Sequence, residues 1–153
     1  MANTYIKIYL HVVFAVKNRD ALIPLHQLGR VHSYIRTALR DKSQFPIRVG
    51  GTCDHVHILM AYNAKYPLPD IVRDIKSGLT VFINENRITP FHFQWQKGYY
   101  CTSYSHSHVN NVIEYIDNQN IHHRGVSIRD EMQKMLQRYD IEFKEEYLLE
   151  NVE

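Results

Sequence analysis

The sequence is poor in cysteine, has no long apolar run and carries little net charge. Its 153 residues include two cysteines, Cys53 and Cys101, which lack the CxxC spacing of thiolate metal sites. A disulfide framework or a cysteine-based zinc site is therefore not expected. No apolar run approaches the roughly 20 residues that cross a bilayer, and the N-terminus lacks the apolar core of a signal peptide. We therefore expect a cytoplasmic protein without membrane contact.

The remaining composition is that of an ordinary globular domain. Hydrophobic residues make up 44% and charged residues 22%, with six Gly and five Pro. These values exclude disordered, collagen-like and coiled-coil classes, and the length predicts one domain. The unusual feature is a content of ten His and eleven Tyr. Both side chains can take part in chemistry, although tyrosine also fills cores and interfaces.

The small net charge of +2 hides an uneven distribution. Residues 1–125 hold 14 Lys and Arg against 8 Asp and Glu, a net charge of +6, whereas residues 126–153 hold 4 against 8, a net charge of −4. A basic body suits a polyanion such as nucleic acid. We predict a catalytic domain over 1–125 and an acidic helical extension over 126–153. The extension is expected to pack on the body or on a dimer partner, away from DNA.

Hydrophobic periodicity predicts an α+β fold. Alternating residues indicate strands over 5–16, 44–49, 52–62 and 91–96, with a turn at Gly50-Gly51. Helical spacing indicates helices that begin near Pro24, at Pro69 and at Ser107, the last with Ser107 as N-cap and an end at Asn120. The order β-α-β-β-α-β is ferredoxin-like or RRM-like, with helices on one face of an antiparallel sheet and the other face open. The third helix follows the fourth strand.

Two histidines in the predicted third strand are candidates for metal binding. His55 and His57 are separated by Val56, and the period of two in a strand places both imidazoles on one face. Two neutral imidazoles in this position can chelate one divalent ion. The alternative is a half-exposed strand that carries two histidines without a ligand, since no HExxH motif or His/Cys quartet accompanies them.

A tyrosine and a glutamine are neighbours on the predicted third helix. Tyr115 and Gln119 are spaced i,i+4 and flank an apolar stripe of the same helix. They are therefore expected at the rim of the contact between helix and body. The alternative is a tyrosine that only packs its ring there, with Gln119 making a nearby hydrogen bond.

Several separated segments together resemble a known family. These segments lie in the first strand, the third strand, the second helix, the region before Gly98 and the third helix; they are YLHVVF at 9–14, DHVHIL at 54–59, IVRDIKS at 71–77, FQWQKGY at 93–99 and YIDNQNIHH at 115–123. In this order they resemble the HUH single-tyrosine transposases of the insertion-sequence-200-like family. The resemblance covers most of the chain.

The resemblance implies a DNA transposase that cleaves and rejoins single-stranded DNA at hairpin-marked element ends without ATP. It implies that Tyr115 attacks the scissile phosphate to give a 5′-phosphotyrosine and a free 3′-OH. By the same resemblance His55, His57 and Gln119 bind Mg²⁺ or Mn²⁺. Homodimers whose active sites are composed across subunits are also implied.

For several other side chains the sequence alone allows two roles, and it also allows other functions. His11 either contacts a metal ligand and orients it or makes a hydrogen bond within the sheet. Six basic residues are candidates for DNA contact or for ordinary solvated surface: Lys17, Arg19, Arg73, Lys76, Lys97 and Arg124. The alternative functions are a non-catalytic single-strand-binding module of RRM-like fold, and a domesticated HUH nickase or an initiator-type nickase.

Overall fold

A computed structural model describes residues 3–119 and 127–150 as a four-stranded antiparallel sheet packed against helices. The strands are β1 (Tyr9–Ala15), β2 (Phe45–Gly51), β3 (His55–Ala61) and β4 (Tyr100–Tyr104). The helices are α1 (Leu28–Asp41), α2 (Leu68–Glu85), α3 (Val109–Asp117) and α4 (Ile128–Arg138). The strand order β2-β3-β1-β4 confirms the predicted α+β, ferredoxin-like class.

The sheet is apolar on both faces because its two central strands alternate between two cores. Val12 and Phe14 of β1 belong to the larger core, which α1 and α2 cover. Val13 and Ala15 point to the opposite face and pack in a second core with residues of α4. Alternate residues of one strand therefore hold the two layers of helices together.

The face of the sheet that was expected to be open is covered. Leu59 of β3 packs with Val112 and Ile116 of α3, and the second core brings Ile128 and Met132 of α4 to the same face. The physical reason is the continuous apolar run in β1, since a strand with apolar side chains on both faces must be covered twice. The prediction that this face is open is therefore wrong, and His11, which lies on it, is fully buried.

The fourth strand is not at 91–96 as predicted. In that segment Trp95 makes only an isolated bridge to Val16, while Phe93 and Trp95 are buried in the larger core beside Phe14. The strand that pairs with β1 is Tyr100–Tyr104. The alternation of apolar and polar residues at 91–96 therefore reflects the burial of alternate side chains in the core and not the pairing of a β-strand.

The boundaries of the other elements differ in smaller ways. The first strand begins at Tyr9 rather than Tyr5, and Gly50 and Gly51 belong to the end of β2. α3 begins at Val109 after a short 3-10 turn, and His108 occupies its N-cap position, so the assignment of Ser107 as N-cap is wrong. α3 ends at Asp117, and the predicted end at Asn120 lies outside the described residues. Among the described helices, none is long and apolar enough to cross a bilayer.

Candidate active site

β3 places the two histidines of the HxH motif on the sheet face that α3 covers. His57 pairs with Val13 on β1 and with Gly50 on β2, so it lies near the middle of the sheet. Both imidazoles are fully buried, and their ring centroids are 4.9 Å apart. Val56 between them belongs to the core on the other face, as the period of two predicts.

A buried carboxylate determines which nitrogen of His55 carries its proton. Asp54 Oδ1 lies 2.6 Å from His55 Nδ1 and accepts a hydrogen bond from the Thr52 hydroxyl at 2.8 Å. A carboxylate in this position accepts the Nδ1 proton, which leaves the lone pair of a neutral His55 on Nε2. This is the arrangement that commonly orients a metal-binding histidine.

Gln119 directs its carbonyl oxygen at that same nitrogen. Its Oε1 lies 3.0 Å from His55 Nε2, while its Nε2 donates to the Tyr115 carbonyl at 3.3 Å and to Glu131 Oε1 at 3.4 Å. These two donations orient the amide, so an oxygen acceptor faces the lone-pair nitrogen of neutral His55. Such a pair is attractive only with a proton on Nε2 or with a cation held by both atoms.

The donors therefore fit a divalent cation, but through an unusual ligand set. Two ligand atoms at right angles around an ion, each about 2.1 Å away, would be about 3.0 Å apart, which matches the spacing of His55 Nε2 and Gln119 Oε1. Across residues 3–119 and 127–150, no three His, Cys, Asp or Glu side chains form a metal-binding group. An ion at this site would depend on an amide oxygen together with imidazole nitrogen.

His11 connects the second histidine to the first strand. Its Nε2 lies 2.8 Å from His57 Nδ1, and their rings stack with centroids 5.0 Å apart. Burial lowers the pKa of His11 to about 4, so the ring is neutral near pH 7. When His57 donates its Nδ1 proton to His11, the lone pair of His57 lies on Nε2, the tautomer that a metal ligand needs.

α3 brings Tyr115 to the histidines of its own chain. The Tyr115 ring lies edge-on to the His57 ring, with centroids 5.5 Å apart and planes at 84°, and edge-on to His11 at 6.1 Å. The approach requires a glycine in β2, because a Cβ at Gly50 would lie 2.6 Å from Cγ2 of Ile116, the residue after Tyr115. The tyrosine and the histidine pair thus meet within one chain, and a homodimer with active sites composed across subunits stays a prediction.

The family model described as "Transposase IS200 like" matches residues 4–119. The chain belongs to the IS200-like transposase family. No curated protein matches it by sequence. Two solved structures share the fold of this transposase. One is a protein of Deinococcus radiodurans R1 assigned as a transposase, with 18% identity, coverage of 78% of this chain and 96% of the other, and a TM-score of 0.59. The second is a REP-associated tyrosine transposase bound to a REP hairpin, with 15% identity, coverage of 100% and 92%, and a TM-score of 0.60.

A buried acid that the motifs of the sequence do not reveal reaches the site from the C-terminal extension. Glu131 of α4 is 7% exposed and accepts the hydrogen bond from Gln119. Burial raises its pKa to about 7, with His55 acting in the opposite direction. The available signal was its position: Glu131 lies between Ile128 and Met132 on the apolar stripe of the helix, where an acid is rarely found without a partner.

Two of the predicted DNA-contacting residues of the transposase lie on the other side of the sheet from this site. Arg73 and Lys76 lie on α2, which covers the opposite face of the sheet. Arg73 forms ion pairs with Asp70 and Asp74. Lys76 Nζ donates to the carbonyls of Gln96 and Gly98, both at 2.8 Å, and burial lowers its pKa.

The other candidates for DNA contact are on the surface or outside the part of the chain that the structure describes. Lys17 and Lys97 are exposed in the segments that follow β1 and precede β4. The side chain of Arg19 and all of Arg124 lie outside the described residues. A DNA-binding role for each of the six basic residues stays a prediction.

Proposed function

We propose that this transposase cleaves and rejoins single-stranded DNA through a covalent bond between Tyr115 and a 5′ phosphate. The observation that carries the proposal is the meeting of Tyr115, His57, His55 and Gln119 on one sheet face within a single chain. The family assignment supports the reaction class, because a transposase must break and remake phosphodiester bonds. No separate energy source is needed, since the phosphotyrosine bond conserves the energy of the broken bond.

The chemistry assigned to Tyr115 is nucleophilic displacement. Its phenolic oxygen forms a bond to phosphorus as the bond from phosphorus to O3′ breaks, the phenolic proton is lost and O3′ gains a proton. A second 3′-OH reverses the step and rejoins the strands. An ordinary phenol has a pKa of about 10 and is a weak nucleophile near pH 7, so the phosphate must be activated. A bound Mg²⁺ or Mn²⁺ would supply that activation by polarising a phosphate oxygen and stabilising the leaving oxygen.

The residues proposed to hold the ion are His55, His57 and Gln119. Asp54 would keep His55 in the tautomer with a lone pair on Nε2, and His11 would do the same for His57. His11 thus takes the orienting role rather than that of a ligand. Imidazole nitrogen is a softer donor than Mg²⁺ prefers, so Mn²⁺ is expected to bind more tightly than Mg²⁺ at equal concentration.

The test is the formation of a covalent adduct. We expect the protein, incubated with Mn²⁺ or Mg²⁺ and single-stranded DNA carrying the hairpins of its own genomic flanks, to give a protein–DNA band that survives denaturation. Tyr115→Phe should abolish the band, whereas Tyr66→Phe, which changes an exposed tyrosine outside the site, should retain it. His57→Ala should lose the band while retaining hairpin binding.

The outcomes separate the proposal from its alternatives. Wild-type protein that binds the hairpin without forming an adduct would indicate a non-catalytic single-strand-binding module. An adduct that persists in Tyr115→Phe would refute the assignment of the nucleophile. Cleavage without rejoining to a second strand would favour a nickase. The homodimer stays a prediction, and mixing Tyr115→Phe with His57→Ala tests it: activity restored by mixing would require a site shared between subunits.

A further inference from the structure

A cavity of about 400 Å³ lies between α3 and α4 beside Tyr115. α3 and its N-cap residue His108 contribute a row of residues spaced i, i+3, i+4 and i+7 to its wall, which ends at Tyr115. α4 contributes the second wall, and β4 closes one side with Tyr104. The volume lies within the range of sites that hold a small organic ligand. The family match ends at residue 119, so the α4 wall lies beyond the part of the chain that defines the family.

The α4 wall presents positive charge although the extension as a whole is acidic. Lys134 and Arg138 are spaced i,i+4, both are exposed and both line the cavity. Glu131 also borders the cavity, but it is buried and its Oε1 accepts a hydrogen bond from Gln119. The two cations therefore dominate the solvent-accessible part of this wall.

α4 is held on the body by specific contacts, so these cations have a defined position. Met132 and Met135 pack in the second core with Val13 of β1. Next to the helix end, the Tyr139 hydroxyl donates to the Ser103 carbonyl of β4 at 2.7 Å. A wall attached to β4 in this way can position a ligand against α3.

We propose that this cavity binds one nucleotide of the single-stranded DNA substrate, with Lys134 and Arg138 contacting its phosphates and the Tyr104 ring packing against its base. This inference rests on the proposed function, because it assigns the strand that Tyr115 attacks to the adjoining cavity. Cationic side chains beside a half-buried aromatic ring are the usual combination for unpaired nucleic acid. The −4 charge of residues 126–153 predicts that the extension avoids DNA; the inference reverses that prediction for the face of α4 that borders the cavity.

The first test measures binding without cleavage. In a Tyr115→Phe background without divalent ions, the affinity for a fluorescein-labelled oligothymidylate of about 20 nucleotides is followed by anisotropy against salt concentration. Lys134→Ala with Arg138→Ala should make the negative slope of log K against log salt less steep by about 1.4, because each single-strand phosphate that the protein neutralises contributes about −0.7 to that slope. Arg36→Ala with Arg40→Ala removes the same charge from α1, on the other face of the sheet, and should leave the slope unchanged.

The second test fills the cavity without altering charge. Asn111 is exposed on α3 and lines the cavity, whereas the adjacent Asn110 is exposed and does not. Asn111→Trp should weaken oligonucleotide binding at least tenfold, and Asn110→Trp should bind as the parent protein does. Unfolding in urea verifies that all variants are folded before binding is compared.

The outcomes distinguish failure of this inference from failure of the proposed function. If the double variants on α4 and on α1 give the same salt slope, the cavity does not hold the single-stranded DNA. The same conclusion follows if Asn111→Trp and Asn110→Trp bind the oligonucleotide equally well. If the variant with Lys134→Ala and Arg138→Ala forms the Tyr115 adduct as fast as wild-type protein does, the inference fails while the proposed function stands. If the slope changes as expected but no adduct forms, the cavity binds single strands and the proposed reaction is wrong.

Discussion

The contact between Gly50 and α3 offers a sharp test of how the fold positions Tyr115. A Cβ added at Gly50 would lie 2.6 Å from Ile116 Cγ2 and 3.4 Å from the Ile116 carbonyl oxygen. Gly50 is not among the glycines with positive φ, so the substitution Gly50→Ala acts through this contact and not through backbone strain. Carbon atoms in ordinary contact are about 3.5–4.0 Å apart, so α3 must move away by about 1 Å.

Two consequences follow from that displacement. Overpacking of this kind costs about 1–3 kcal/mol of unfolding free energy. Tyr115 precedes Ile116 on the helix and would move with it, and a misplacement of about 1 Å lowers the rate of a positioned reaction by about 100-fold. We therefore expect Gly50→Ala to be folded, moderately destabilised and slow to form the covalent adduct.

The assay combines urea unfolding with the rate of adduct formation. Gly29→Ala is the matched control, because nothing lies within 4 Å of a Cβ at that helical position, and it should be stabilised by about 0.4–1 kcal/mol with unchanged activity. Ile116→Ala removes the clashing methyl group. The double variant should therefore be more stable than the sum of the single effects predicts, by about 1–3 kcal/mol. Wild-type stability and rate in Gly50→Ala, or strict additivity in the double variant, would refute the reasoning.

Three further predictions concern other parts of the molecule. Lys76→Met, which removes the ammonium that donates to the two carbonyls of the 96–98 turn, should lower the unfolding free energy in urea by about 1–3 kcal/mol; an unchanged value would show that the turn does not depend on it. Burial lowers the pKa of His32 to about 4, so the folded protein favours the neutral ring. The stabilisation is complete above pH 6.5 and is lost as the pH falls to about 4, which lowers the unfolding free energy by up to about 3 kcal/mol. His32→Gln should remove that part of the pH dependence, and the exposed His26→Gln should not. Asp54→Asn should weaken Mn²⁺ binding, followed by calorimetry, about 10- to 100-fold through loss of the His55 tautomer, and equal affinity would exclude the orienting role.

Local patterns in the chain were sufficient for much of the fold and for the composition of the site. The period of two in DHVHIL places His55 and His57 on one face and Val56 in the core, and the structure has them there. The spacing of Tyr115 and Gln119 likewise predicts that the two are neighbours, and the Gln119 amide donates to the Tyr115 carbonyl; their place beside the histidines was what the resemblance implied. These predictions succeed because they depend on backbone periodicity, which a few neighbouring residues determine.

The failures have a common physical cause. The segment 91–96 alternates like a strand, but its alternation serves to bury Phe93 and Trp95, while the true β4 begins at Tyr100. Periodicity reports burial on one side and does not report which backbone groups find hydrogen-bond partners. Ser107 similarly satisfies the residue preference of an N-cap, yet the chain makes a 3-10 turn there before α3 starts at Val109.

The sequence by itself determined the fold class and the face of the histidine pair, since both depend on residue type and local spacing, whereas the choice of Tyr115 among eleven tyrosines came from the family resemblance. Only the tertiary structure decided what surrounds them. Packing on the second face of the sheet buries His11 against His57, directs the Gln119 oxygen at His55 and brings Glu131 of α4 into the site. These contacts join residues far apart in the chain, and they exist because an apolar central strand needs a layer of helices on each side.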